Sequence, residues 1–292
     1  MSELHWTQTP TLRRPIFVLA LEGFFDAAFG ATSTVEWIQK ITEARAIGSI
    51  DPDSFFDFTS RRPRVRLDDN DQREIVWPHN NITVSSVTAG DRDLVLLSGV
   101  EPHMRWRSYI GCLIEVIRQL KIELVVTLGS TADQIPHTRT PIVVGSTAAT
   151  GLARTLGLSA PTYQGQTGVV GVLHTELERV GVPSISLRAP ACFYASSATN
   201  PKLVVALAGQ VERVTGVATR VGELADTVAD WTSRVDEAVQ QDHSMAPYIP
   251  QLEFAYDQQF EQQIAQEADV SAEVERFLRG LDESGAGGDS TL

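Results

Sequence analysis

Hydrophobic positions along this chain switch repeatedly between two spacings. Continuous apolar runs at Pro15–Leu21, Leu94–Leu97, Glu123–Leu128, Thr140–Gly145 and Pro183–Leu187 have the composition of strands buried on both faces. Between them, apolar residues recur every three or four positions, the spacing of one helix face. Val35, Ile38 and Ile41 predict a helix from about Ala31 to Ala44. Tyr109, Cys112, Leu113, Val116, Ile117 and Leu120 predict another over 105–120, and Leu203, Val204, Leu207, Val211 and Val214 a third over 201–215. The stretch Asp93–Tyr109 condenses the pattern: a strand closed by Ser98 and Gly99, a polar turn at Glu101-Pro102-His103, then an amphipathic helix. Strand–helix alternation of this kind specifies a mostly parallel mixed sheet with helices on both faces.

Other segments fill in the outline. Ala46–Ile50, Glu74–Trp77 and Ile82–Val87 read as further strands, with an irregular insertion over Asp51–Arg73. Within it, Arg61, Arg62, Arg64 and Arg66 interleave with apolar residues as on a strand with one wet face, or else meet acids of a neighbouring subunit. A short helix ends near Leu156, and Gly165–Gly171 opens a helix to about Val180. After Thr215 the strands stop. Val221, Leu224, Val228, Trp231, Val235 and Val239 mark a long helix, Pro247 and Pro250 break it, and helical spacing returns over Leu252–Leu281. The expected organisation is a flexible arm at 1–14, an α/β domain at 15–216, a C-terminal helical extension at 217–283 and a disordered tail at 284–292.

The formal net charge of −13 disfavours nucleic acid and anionic membranes as partners. Much of that charge is local, because residues 251–292 hold ten acids against two arginines. No apolar run approaches the roughly 20 residues that span a bilayer. Met1–Pro10 lacks the basic-then-apolar order of a signal peptide, so a cytoplasmic location is expected. Two cysteines, Cys112 and Cys192, imply no disulfide framework.

Candidate chemistry concentrates where strands give way to helices, since ligands of open α/β sheets bind at the carboxyl ends of strands. The turn Gly23-Phe24-Phe25-Asp26 follows the first strand. Its Asp26 caps a helix in the preferred reading and orients a ligand in the other. Glu101 and Arg105 either pair at a pocket mouth, with Trp106 as a flat wall, or satisfy the helix end, with Trp106 as core. Gly99, Gly129, Ser130 and Gly145 put small residues at further strand ends, where backbone approaches a ligand or simply turns. Thr167 is the expected N-cap of the helix that the Gly165–Gly171 stretch opens. The binding cleft expected from sequence therefore comprises Gly23, Phe25, Asp26, Gly99, Glu101, Arg105, Trp106, Gly129, Ser130, Gly145, Thr167 and Gly168. Nothing matches a P-loop, a dinucleotide fingerprint or a nucleophile elbow. The six histidines have no zinc spacing, and His174, beside Leu173 and Leu177, reads as a satisfied core residue. No metal and no cofactor is expected, and the catalytic residues are left unassigned.

Taken in order, the Gly-Phe-Phe-Asp-Ala-Ala turn, the Ser98–Tyr109 segment, Tyr163-Gln-Gly-Gln-Thr-Gly168, Gly181-Val-Pro-Ser-Ile-Ser-Leu and Asn200-Pro201 resemble the proteasome assembly chaperone 2 family, in its prokaryotic, actinobacterial-type branch. The resemblance covers roughly residues 15–216. It implies a three-layer α/β/α fold similar to purine nucleoside phosphorylases and related hydrolases, and an assembly role, since eukaryotic members help build proteasome α-rings. Two features depart from the family pattern. Cys192-Phe193-Tyr194 stands where members often have Pro-His-Tyr, and Ser290-Thr291-Leu292 stands where ring-docking chaperones end in hydrophobic-Tyr-any.

The expectation is a non-enzymatic assembly chaperone or scaffold. It would act through protein–protein interaction as a homo-oligomer, a trimer by analogy with phosphorylases, with a protein client or proteasome-related partner. The rival is a small-molecule enzyme, nucleoside- or phosphate-directed and phosphorylase- or hydrolase-like, working at the carboxyl edge. A third reading is a passive oligomer held by its acidic helices.

Overall fold

The computed structural model describes residues 3–68, 70–85 and 91–261. An eight-stranded sheet runs β1-β3-β6-β7-β2-β8-β10-β9 across the fold. The strands are β1 (Leu4–Trp6), β2 (Ile16–Glu22), β3 (Arg45–Ile50), β6 (Asn80–Ser85), β7 (Leu94–Val100), β8 (Leu124–Asp133), β9 (Val144–Ser146) and β10 (Ser184–Cys192). The strands β4 (Arg64–Leu67) and β5 (Arg73–Val76) form a separate two-stranded ribbon. The four neighbours β7, β2, β8 and β10 are parallel, and β6, β3, β1 and β9 join by antiparallel pairing. Both margins are strands of three residues.

The parallel centre follows from the apolar runs. Ile16, Val18 and Ala20 face one side of β2, and Phe17, Leu19 and Leu21 the other, all buried. Against the first set pack α1 (Gly30–Ile41) and α5 (Pro201–Thr215), through Val35, Ile38, Leu203, Leu207 and Val211. Against the second pack α2 (Trp106–Gln119) and α4 (Val169–Arg179), through Leu113, Val116, Ile117, Leu173 and Leu177. Helices therefore cover both faces, giving three layers. A short helix α3 (Thr150–Leu156) precedes α4.

Four expectations need correction. The expected arm is bound into the fold: β1 pairs with β3, and Asp93 accepts from Arg13 N–H at 2.7 Å and from its guanidinium at 2.8 Å. The strand at 94 does not stop at Ser98–Gly99, and the one at 124 does not stop at Gly129–Ser130. Ser98, Gly99 and Val100 pair with Ala20, Leu21 and Glu22, and Gly129–Asp133 pairs with Arg188–Cys192. Small residues there permit close packing over a continuing ladder instead of a turn. The strand expected at Thr140–Gly145 is only Val144–Ser146, since Pro141 has no N–H for a ladder.

The chain divides into two compact units, Met1–Asp236 and Glu237–Leu292, later than the expected boundary at 216. The first unit extends past α5 because Trp37 Nε1 donates to Thr219 O at 2.8 Å and Glu212 accepts from Thr219 N–H at 2.9 Å. His137 Nε2 meets Asp236 Oδ1 at 2.8 Å, on the helix α6 (Ala225–Gln241). In the second unit residues 249–261 are helical. The rest of the expected 252–281 helix and the tail lie outside the described residues, as do residues 86–87 of the Ile82–Val87 strand.

Candidate functional site

From β2 the chain crosses to β3 on one side, and from β8 it crosses to β10 on the other. The crevice between β2 and β8 is thus a topological switch point, where open sheets bind ligands. Here the chain's own loop closes it. Ser130 N–H donates to Phe25 O at 2.7 Å, and the Ser130 hydroxyl donates to Ala27 O at 2.7 Å. Asp26 and Ser130 form a parallel bridge, and both side chains are buried. Asp26 Oδ1 accepts from Ala31 N–H at 2.8 Å and Thr32 N–H at 3.2 Å, and Oδ2 from the Thr32 hydroxyl at 2.5 Å. Asp26 therefore caps α1. Desolvation raises its pKa, partly offset by the Thr32 and Ala31 hydrogen bonds.

Glu101 holds the next contact. Its carboxylate accepts from Phe24 N–H at 3.1 Å and Val169 N–H at 2.8 Å, tying the β2 turn to the N-terminus of α4. The glycines around it are explained by this. A Cβ on Gly23 would lie 2.7 Å from Glu101 Oε2, and one on Gly168 2.7 Å from Oε1. Gly168, not Thr167, is the N-cap, and the capping group comes from a different element.

Of the twelve expected residues, the fold gathers Gly23, Phe25, Asp26, Glu101, Gly129, Ser130 and Gly168 at one place. Phe25 lies centrally: its carbonyl is 3.5 Å from a Cβ on Gly129, and its ring 3.6 Å from one on Gly168. Thr167 and Phe25 also line a groove described below. The others separate. Arg105 does not pair with Glu101; it pairs with Glu3 and stacks at 5.6 Å over Phe55. Trp106 packs on the α2/α4 core and donates from Nε1 to Pro102 O at 2.7 Å. Gly145 faces Leu158, and Gly99 makes room for Asn80, whose Oδ1 accepts from Val100 N–H at 2.6 Å and whose amide donates to Tyr109 OH at 2.7 Å. Two of the four clustered arginines have partners in their own chain, Arg61 with Glu22 and Arg66 with Glu74. Among the described residues, no group of three or more His, Cys, Asp or Glu is placed to hold a metal, and no helix is long and apolar enough to cross a membrane.

Two features escaped the sequence reading. One is the number of large apolar side chains exposed on the loops that leave this carboxyl edge: Phe24, Phe29, Met104 and Phe193. Phe24 is 67% exposed although it stacks edge-on against Phe25. The other is a groove of about 650 Å³ beside β10, lined by Thr127, His174, Ser184, Ser186 and Arg188. Its signal was available, since Ile185, Leu187 and Ala189 alternate with Ser184, Ser186 and Arg188. His174 is satisfied as expected, with Nε2 2.7 Å from Thr127 Oγ1 and Nδ1 2.8 Å from Ser184 Oγ. Burial, with Arg188 nearby, lowers its pKa to about 4.

A three-layer α/β/α unit whose switch point is sealed by its own Gly-Phe-Phe-Asp loop defines a class of protein, and sequence comparison identifies that class. The profile of the PAC2 family matches residues 20–239, and the chain belongs to that family. It is similar to the crystal structure of a PAC2 family protein from Streptomyces avermitilis, at 36% identity and TM-score 0.74, covering 80% of this chain and 99% of that one. It is also similar to a Mycobacterium tuberculosis proteasome-assembly chaperone homologue, at 34% identity and TM-score 0.72, with the same coverages. A second M. tuberculosis protein, of unknown function, shares the fold at TM-score 0.80 and 22% identity, over 91% of this chain and 92% of that one. No curated protein matches the sequence.

Proposed function

We propose that this chain is a non-enzymatic assembly chaperone or scaffold that binds proteasome-related protein partners and self-associates through the carboxyl edge of its sheet. The observation that carries this is the contrast at that edge. Asp26, Glu101 and Ser130, the groups an enzyme would use there, are engaged by the chain's own backbone. What the edge offers outward is aromatic and thioether surface, the composition of protein-binding patches. Similarity to a proteasome-assembly chaperone homologue supports the choice of partner.

Light scattering on the full chain, with and without purified proteasome α subunits, tests the reading. The expected result is a self-associated species that co-elutes with α subunits, and loss of both in the Phe24→Ser/Phe29→Ser double variant. A strict monomer at micromolar concentration that ignores α subunits would overturn it.

A further inference from the structure

We propose that the groove between α4 and the strands β8, β10 and β9 binds a small hydroxylated organic oxyanion, a sugar phosphate or sugar acid, with Arg188 gripping the anionic end. A strand inside a sheet covered by helices is usually apolar on both faces. β10 is not. Ile185, Leu187 and Ala189 enter the α1/α5 core, while Ser184, Ser186 and Arg188 face the groove.

Strand register turns this into a polar floor. Ser186 lies between Thr127 of β8 and Ser146 of β9, so three hydroxyl side chains form one row across three strands. Arg188 lies in the next row, between Gly129 and Val144. The arginine stem packs beside Gly129, where a Cβ would sit 3.4 Å from Arg188 Cγ, in van der Waals contact. The groove's volume of about 650 Å³ falls within the range of about 300–1,000 Å³ typical of small-molecule sites.

The floor is set for a ligand by how its groups are engaged. His174, half-buried and neutral, bonds to the hydroxyls of Thr127 and Ser184 through its two ring nitrogens. A neutral ring has one donor and one acceptor, so one of the two hydroxyls spends its proton on the ring, while the other accepts from the ring and keeps its proton to donate into the groove. By contrast, the side chains of Ser186 and Arg188 form no hydrogen bond or ion pair with another described residue, whereas Arg13, Arg61, Arg66, Arg92 and Arg105 are each paired with an acid. An unpaired guanidinium above a row of hydroxyls takes a phosphate or carboxylate in a forked contact. Four residues of strand, about 13 Å, separate Arg188 from Ser184. Glu178 lines the groove as well and disfavours a second anionic group on the ligand. The hydroxyl-bearing body of the ligand therefore extends over Ser186 toward His174.

Calorimetric titration of the full chain with ribose 5-phosphate, ribonate and ribose tests this. Expected is saturable binding of one or both anions, with the tighter of the two identifying the anionic group, and binding of neutral ribose weaker by tenfold or more. Arg188→Gln should weaken the anion about tenfold, the loss of one charge-assisted pair, with an unchanged melting temperature because the side chain is exposed. Ser186→Ala, a smaller change in the neighbouring row, should weaken it less. Failure of both anions to bind, equal binding of ribose, or unaltered affinity in both variants would overturn the assignment. Phe24→Ser should leave these titrations unchanged, which separates this site from the protein-binding edge.

Discussion

At the β2/β8 crevice, the side chains of Asp26, Glu101 and Ser130 together accept or donate six hydrogen bonds, all within their own chain. A short distance along the sheet, Ser186 and Arg188 lie in a groove with no such partners among the described residues. By position alone the first place is where an open sheet binds its ligand, and the second is a helix flank. The difference teaches that position proposes a site, while the engagement of its polar atoms decides whether that site is available. A carboxylate holding two N–H groups is structural wherever it lies.

The comparison breaks most visibly if the engaged region proves dispensable. Gly99→Val should have the largest effect. Even a Cβ at Gly99 would lie 1.9 Å from Asn80 Oδ1, so the buried Asn80–Val100–Tyr109 bonds must open. Urea denaturation should show a loss of about 4 kcal/mol, combining overpacking with unmade buried hydrogen bonds. Next is acid sensitivity from His174. In the folded chain it stays neutral down to about pH 4, against 6.5 for the free ring. Between those values the unfolded chain binds the extra proton, so stability is full above about pH 6.5 and falls as pH drops toward 4. The loss should approach about 3 kcal/mol, and His174→Gln should flatten that part of the pH–stability curve.

Glu101→Ala comes third. It removes the acceptor for Phe24 and Val169, and chemical denaturation should register about 2 kcal/mol. Ribose 5-phosphate affinity should hold, since Glu101 is not among the groove-lining residues. The smallest stability effect belongs to Phe24→Ser/Phe29→Ser, within about 0.5 kcal/mol because both side chains are exposed. That variant sharpens the contrast best, since it should abolish association while barely moving the unfolding midpoint.

Much of this architecture was legible from local pattern. Tyr109, Cys112, Leu113, Val116, Ile117 and Leu120 are all buried, as their three-and-four spacing requires. Cys112 and Cys192 are free and buried, and burial pushes both thiols up to about 11. What local pattern missed depends on distant partners. Glu101 and Arg105, four apart, suggest a pair, but Arg105 adopts a left-handed backbone at φ 56° and the helix starts only at Trp106. The two side chains therefore diverge, one to Glu3 and the other to residues 24 and 169. Gly129-Ser130 looked like a turn because nothing local reveals β10 alongside. The polar side of β10 was visible as alternation, but its meaning needed the flanking rows of β8 and β9.

The three-residue strands at the sheet's margins bear on how copies of this chain meet. A ribbon that short gives an incoming strand few backbone groups to grip, so the sheet is poorly suited to lengthen by adding a neighbour's strand at either end. Growth of any assembly is thereby steered away from continuous cross-chain sheets and toward contacts between side chains, which come apart without unzipping a ladder.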